Sequence, residues 1–79
     1  MSRAEILEKM AEVFRTVFDD ESLVLSDETS AADIEDWDSL EQINILVALE
    51  KLFGLKFTAA DVEHLQNVGE MADLIKERL

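Results

Sequence analysis

Apolar residues recur at helical spacing along the first part of this chain and fall on one face of a helix. They are Ile6, Met10, Val13, Phe14 and Val17. Ser2, followed three residues later by Glu5, forms a capping-box pattern that is typical of a helix start. The pattern therefore predicts a helix over residues 3–18 whose apolar face packs into a core.

The next segment, residues 19–37, is rich in acids and polar residues and shows no helical period. It is predicted to be a long loop, with one short helical turn allowed around residues 31–34. We expect its apolar side chains to hold the loop against the helices. They are Leu23, Val24, Leu25, Ile34 and Trp37. A loop of this length is uncommon in a small domain unless it has a function.

A second helix is predicted over residues 39–53. Asp38 is its predicted cap, Glu41 would complete a second capping box, and Gly54 suits a left-handed helix end. One apolar stripe suits a core face and consists of Ile45, Leu46, Leu49, Leu52 and Phe53. A different stripe lies beside Glu41 and Asn44 and consists of Leu40, Ile43 and Val47. A small domain can hardly bury both, so we expect the second stripe to contact a partner.

The remaining chain predicts a short inward-facing link and two further helices. Leu55 and Phe57 should point inward, Thr58 with Asp61 should open a short helix through about Leu65, and Asn67 with Glu70 should cap a helix over 68–79. The apolar stripe of this last helix consists of Val68, Met71, Ala72, Ile75 and Leu79. Val62 and Leu65 are the expected inward residues of the short helix. The prediction is an all-α bundle of three main helices plus one short helix, forming a single domain over 1–79.

The charge is concentrated in the middle of the chain. The net charge is −12, and residues 16–50 contain eleven acidic side chains and neither lysine nor arginine. Nucleic acid and anionic membranes are poor partners for such a surface, whereas basic protein surfaces are good ones. The chain has no cysteine, no signal-peptide pattern and no apolar run long enough to span a membrane. We therefore expect a cytoplasmic protein.

Candidate chemistry reduces to one hydroxyl group. The single histidine, His64, has no orienting partner in the pattern, and with no cysteine a zinc site is not expected. Ser39 stands at the mouth of the second helix, where backbone N–H groups and the helix dipole favour an anion such as a phosphate ester. From position alone, an ordinary polar residue at a helix start is the commoner interpretation of Ser39.

The residues around this serine resemble those of a known family. Asp38-Ser39-Leu40, followed by Ile43, the run 45–50 and the run 53–57, is similar to the acyl carrier proteins, and the resemblance extends over nearly the whole chain. It implies the acyl-carrier fold, with the long acidic loop between the first two helices. It also implies that Ser39, flanked by Asp38 and Leu40, carries 4′-phosphopantetheine, whose thiol holds acyl groups as thioesters. Such a chain is a carrier and not an enzyme.

The resemblance also implies which surface meets partner enzymes. Beside Leu40, the matching positions are Glu41, Ile43, Asn44, Val47 and Glu50. The implied partners have basic docking patches: a phosphopantetheinyl transferase, an acyl-loading ligase or acyltransferase, and ketosynthase- or transferase-type enzymes. The chain itself is expected to be a monomer. The family's acyl-sheltering pocket would correspond to a space lined by residues such as Leu49, Phe53 and Val62.

Some positions depart from the housekeeping fatty-acid carriers. Asn44 and Lys51 stand where those carriers often have acids, and Trp37 stands where they have a small residue. These features are more similar to carriers of bacterial polyketide or specialised lipid pathways. Two alternatives stay open at this point, an aminoacyl or peptidyl carrier and an acidic helical adaptor without a cofactor.

Overall fold

The computed structural model describes residues 1–63 and 65–79, which form four helices and no strand. The helices are α1 (Arg3–Val17), α2 (Ser39–Phe53), α3 (Ala59–Glu63) and α4 (Val68–Arg78). The predicted all-α architecture of three main helices and one short helix is confirmed. The bounds of α2 are those predicted, whereas α1 and α4 each end one residue earlier.

Local hydrogen bonds explain where the helices begin. The Ser2 hydroxyl accepts from the Glu5 N–H and the Glu5 carboxylate accepts from the Ser2 N–H, both at 3.2 Å, which confirms the first capping box. Hydrogen bonds from the backbone and the hydroxyl of Ser2 lower the pKa of the Glu5 carboxyl. Thr58 and Asp61 form the same reciprocal pair before α3, at 2.8 and 3.1 Å.

Left-handed residues explain where α1 and α2 end. Gly54 has φ 68° and ψ 38° after α2, as predicted, and the Leu55 N–H donates to the Glu50 carbonyl at 3.1 Å. After α1, Asp19 takes the left-handed conformation with φ 51°. Its neighbour Asp20 donates its N–H back to the Arg15 carbonyl at 3.0 Å, which completes the same kind of helix end without a glycine.

The core lies where α1 packs against both α2 and α4. Its buried side chains come from these three helices and from the loop between α1 and α2. They are Ile6, Met10, Phe14, Trp37, Ile45, Leu49, Val68, Met71, Ala72 and Ile75. Leu55 and Phe57 of the link after α2 pack against this core, as predicted.

Three residues that were expected to face inward are exposed instead. Val24 is 78% exposed, whereas its neighbours Leu23 and Leu25 on either side pack against the core. Leu52 is 44% exposed because it stands at the edge of the α2 stripe and lines a shallow surface groove. Leu79 is 56% exposed because it lies beyond the end of α4, past the last buried residue of that helix.

The acidic loop is fastened to the start of α4. The Val68 N–H donates to the Thr29 carbonyl at 2.9 Å, and the Gly69 N–H donates to the Asp27 carbonyl at 3.0 Å. Arg3 of α1 adds an ion pair with Asp27 at 2.9 Å and a hydrogen bond to the Gly69 carbonyl at 3.2 Å. Farther along the loop, residues 31–34 form turns and no helix.

The short helix α3 is held to the C-terminal part of α4. The Arg78 guanidinium donates to the Asp61 carboxylate at 2.7 Å and to the Lys56 carbonyl at 2.9 Å. The prediction that this helix runs to about Leu65 is wrong, because Leu65 lies outside α3; its N–H donates to the Val62 carbonyl at 3.2 Å. The expectation for His64 lies outside the described residues.

Candidate functional site around Ser39

Ser39 is the first residue of α2, and its side chain is exposed. Asp38 is the N-cap, with extended backbone, and its carboxylate accepts from the Glu41 N–H at 2.9 Å. The helical hydrogen-bond ladder begins with the Gln42 N–H, which donates to the Asp38 carbonyl at 2.9 Å. The N–H groups of Ser39 and Leu40 precede that ladder, so the helix start next to the hydroxyl suits an anion.

The second capping box predicted at this position is wrong. The Glu41 carboxylate does not reach back to the Asp38 N–H but accepts from the Asn44 side-chain amide at 2.8 Å, one turn farther along α2. The Asp38 N–H is already bonded to the Asp36 carbonyl at 3.1 Å, in the turn that precedes the helix. Because that donor is satisfied, the Glu41 side chain is left on the outer surface of α2.

Trp37 anchors the loop immediately before the serine. Its side chain is only 7% exposed and packs edge-on against Phe14, with ring centroids 5.1 Å apart, and beside Phe18 at 6.4 Å. Its indole N–H donates to the Gln42 side-chain oxygen at 2.6 Å. The predicted anchoring role of Trp37 is confirmed. The role of Gln42 was not predicted from the sequence, because a spacing of five residues belongs to no common capping motif.

A cleft of about 520 Å³ opens beside Ser39. Trp37, Ser39 and Gln42 line one part of it, and Val62 and Leu65 line another. Asp38 and Gln66 also line the cleft, so apolar, amide and acidic residues surround the space next to the hydroxyl.

The expected acyl-sheltering pocket corresponds only in part to this cleft. Of the three residues expected to line it, Val62 does. Leu49 is fully buried in the core instead, and Phe53 packs against the core.

The second stripe of α2 is exposed, as its pattern predicted. Leu40 is 65%, Ile43 58% and Val47 42% exposed, so three apolar side chains of one helix face outward. Glu50, which the resemblance groups with them, also has a structural contact. Its carboxylate accepts from the Phe57 N–H at 2.8 Å and so holds the link after α2 against the helix.

Residues 1–63 and 65–79 also bear on metal binding and on membrane insertion. In these ranges, no three histidine, cysteine, aspartate or glutamate side chains are grouped so that they could hold a metal ion. No helix there combines the length and the apolar character that crossing a membrane requires.

Comparisons with known proteins agree with the site. Residues 4–75 match the family model described as a phosphopantetheine attachment site. The chain is 33% identical to an acyl carrier protein of Acidothermus cellulolyticus over 95% of this chain and 89% of the relative. It is 28% identical to one of Thermosynechococcus vestitus over 100% of this chain and 98% of the relative.

A solved structure extends the agreement to the fold. The chain superposes on the solution NMR structure of a holo acyl carrier protein from Geobacter metallireducens with a TM-score of 0.86. The two are 46% identical, and the match covers 91% of this chain and 83% of that one. This chain therefore belongs to the acyl carrier proteins, which hold a covalently bound 4′-phosphopantetheine and act as carriers rather than as enzymes.

Proposed function

We propose that Ser39 is the residue that receives the phosphopantetheine. The observation that supports this proposal is the hydrogen bonding of the eight serine and threonine hydroxyls. Seven of them are hydrogen-bonded to backbone N–H groups, carboxylates, carbonyls or each other. Ser39 alone has no such bond within residues 1–63 and 65–79, and it is exposed at a helix start. Within these residues, a reaction at the Ser39 hydroxyl therefore requires no internal hydrogen bond to be broken first.

The attachment is a phosphoryl transfer from coenzyme A. The Ser39 oxygen forms a bond to the phosphorus that bears the pantetheine, and the phosphoric anhydride bond to the nucleotide breaks. The departing adenosine bisphosphate takes the electron pair, and the hydroxyl proton passes to a base of the transferase. Once attached, the arm supplies a terminal thiol that carries acyl groups as thioesters. The Ser39 and Leu40 N–H groups suit the resulting phosphodiester anion.

Intact mass measurement tests this assignment. After incubation with coenzyme A and a broad-specificity phosphopantetheinyl transferase, we expect the chain to gain the mass of one phosphopantetheine group. Ser39→Ala should gain nothing. Ser22→Ala is the matched control, because it removes a loop hydroxyl that is bonded to Asp20 at 2.6 Å and should leave modification intact. Modification that persists in Ser39→Ala would overturn the proposal.

We also propose that the exposed side of α2 is the docking surface for partner enzymes. Leu40, Ile43 and Val47 supply the apolar contact, while the Glu41–Asn44 pair and the acidic loop supply charge that attracts a basic surface. The partners are the phosphopantetheinyl transferase, an acyl-loading ligase or acyltransferase, and ketosynthase- or transferase-type enzymes. Glu50 belongs to this surface in the proposal, in addition to its bond to the Phe57 N–H.

Charge reversal tests the docking surface. Glu41→Lys should weaken binding of the transferase and slow modification, and the loss should shrink as salt is added because added ions screen the attraction. Glu8→Lys makes the same charge change on the exposed side of α1 and should have little effect. Circular dichroism should show unchanged helix content in both. An equal slowing by both variants would show that net charge, and not this surface, governs docking.

We propose further that residues 1–79 form one carrier domain that works as a monomer in the cytoplasm, in polyketide or specialised lipid synthesis. Trp37, Asn44 and Lys51 are the sequence features that favour such a pathway over housekeeping fatty-acid synthesis. The mass of the group found on Ser39 in the native host tests the cargo. An amino acid on the arm would instead identify an aminoacyl carrier. A bare Ser39, together with unchanged biological activity in Ser39→Ala, would identify a cofactor-free adaptor.

A further inference from the structure

The hydrogen bond between Trp37 and Gln42 fixes which way the glutamine amide faces. An indole N–H is a donor and never an acceptor, so the atom that meets it at 2.6 Å must be the amide oxygen of Gln42. The indole itself is held by burial against Phe14 and Phe18. With its oxygen turned toward Trp37, the Gln42 side chain must present its NH₂ group, which carries two donors, elsewhere.

Gln42 and Ser39 share one side of α2. They stand three residues apart on the helix, a spacing at which side chains are neighbours, and both line the same cleft. A group attached to the Ser39 oxygen therefore begins beside the Gln42 side chain. Its first atoms are those of a phosphate.

The acidic side chains near Ser39 make uncharged hydrogen-bond donors important for a phosphate attached there. Residues 16–50 contain no lysine or arginine, and Asp36, Asp38 and Glu41 lie within three residues of Ser39. Carboxylates only accept hydrogen bonds, so they cannot stabilise a phosphodiester anion and instead repel it. No lysine or arginine is among the described residues that line the cleft, so the uncharged donors there are backbone N–H groups at the helix start and the amides of Gln42 and Gln66. Of the two amides, that of Gln42 lies on the same helix as Ser39, one turn away.

We propose that Gln42 donates from its side-chain NH₂ to a phosphate oxygen of the group on Ser39, and that Trp37 is the positioning residue that orients this amide. The inference rests on the proposed attachment at Ser39. It assigns Gln42 to the binding of the prosthetic group and gives the Trp37 indole N–H a role beyond packing.

Nuclear magnetic resonance of the apo and holo forms tests the contact directly. Conversion to the holo form should shift the Gln42 side-chain amide protons and slow their exchange with solvent. In the holo protein, Gln42→Met should shift the ³¹P resonance of the phosphodiester, because it removes the donor without adding charge. Gln66→Met is the matched control, since Gln66 lines the same cleft, and it should leave the ³¹P resonance in place.

Trp37→Phe tests the positioning role, because it keeps an aromatic ring in the core and removes the indole N–H. In this variant, the shift of the Gln42 amide on conversion to the holo form should be lost. An undiminished shift would overturn the role of Trp37. Thermal unfolding of each variant checks that it is folded, and the wild-type comparison needs no variant at all.

The outcomes separate this inference from the proposed function. If Ser39 is modified but the wild-type Gln42 amide does not move, the inference is wrong and the attachment site stands. The inference is also wrong if Gln66→Met moves the ³¹P resonance as much as Gln42→Met does. An unmodified Ser39 in the mass measurement overturns the proposed function and this inference together.

Discussion

Gly69 is the position at which a single methyl group should separate the acidic loop from the helices. A Cβ added there would lie 2.9 Å from the Asp27 carbonyl oxygen and 3.1 Å from the Asp27 Cβ. Real Cβ atoms essentially never come within 3.0 Å of a heavy atom outside their own residue and its chain neighbours, and the nearest obstacle here is backbone rather than the end of a flexible side chain. In Gly69→Ala the loop must therefore move away from α4.

The size of the effect follows from opposing contributions. Alanine in place of glycine favours a helix by up to about 1 kcal/mol. Forcing a methyl group into closely packed space costs about 1–3 kcal/mol. The displaced loop also weakens the bonds from the Val68 and Gly69 N–H groups, each with a net value of about 0.5–1.5 kcal/mol. We expect a net loss of about 2 kcal/mol, which lowers Tm by roughly 8–16 °C in a domain of this size.

Urea unfolding and amide hydrogen exchange measure the two consequences. In Gly69→Ala the midpoint should fall with little change in m, and the amide of residue 69 should exchange faster than in the wild type because its bond to the Asp27 carbonyl is weakened. A variant as stable as the wild type, with an equally protected amide at position 69, would refute the reasoning. It would show that the loop can yield without losing its attachment.

Gly54 provides the matched control because glycine is needed there for a different reason. Gly54 has φ 68° and nothing within 4 Å of an added Cβ, so only its backbone conformation disfavours a side chain. Asparagine tolerates that conformation better than alanine does. Gly54→Asn should thus be more stable than Gly54→Ala, whereas Gly69→Asn should be less stable than Gly69→Ala. If the Asn and Ala variants ranked in the same order of stability at both positions, the distinction between a conformational requirement at Gly54 and a steric one at Gly69 would be wrong.

Three more predictions concern caps, acid stability and the loop. Asp38→Ala should lose about 1 kcal/mol of stability in urea unfolding and Asp38→Asn much less, since asparagine also caps helices. The Thr58 N–H, with the Arg78 guanidinium, lowers the Asp61 pKa below its ordinary 3.8. Its stabilisation is thus present above that pH and lost as pH falls below it, so Asp61→Asn should flatten the acid-unfolding curve there. Arg3→Met should speed hydrogen exchange of the Gly69 amide, because Arg3 bonds both Asp27 and the Gly69 carbonyl. Equal exchange rates in the variant and the wild type would show that Arg3 does not hold the loop.

The sequence predicted helix ends well because the groups that determine them are adjacent in the chain. The capping box of Ser2 and Glu5 and the left-handed Gly54 depend on residues within one turn. The hydrogen bond between Glu41 and Asn44 was not predicted, because the Glu41 carboxylate competes with another acceptor for the Asp38 N–H. The Asp36 carbonyl takes the Asp38 N–H, and a capping pattern cannot reveal such competition.

Burial was harder to predict than helix position. Leu52 has the spacing of a core residue, but whether it is covered depends on how far α1 extends over α2, which is a property of the packed helices. The contact between Trp37 and Gln42 could not be predicted for a related reason. It requires the loop to fold back beside the first turn of α2, and the spacing of apolar residues does not indicate the course of a loop.

The burial of Trp37 gives this protein a single optical reporter at its functional end. The chain has one tryptophan and no tyrosine, so its near-ultraviolet emission arises from one ring. That ring packs against Phe14 of α1, belongs to the acidic loop and is hydrogen-bonded to the first turn of α2. Detachment of the loop, unfolding of the core and changes next to Ser39 should each alter its fluorescence, so all three can be followed without an added dye.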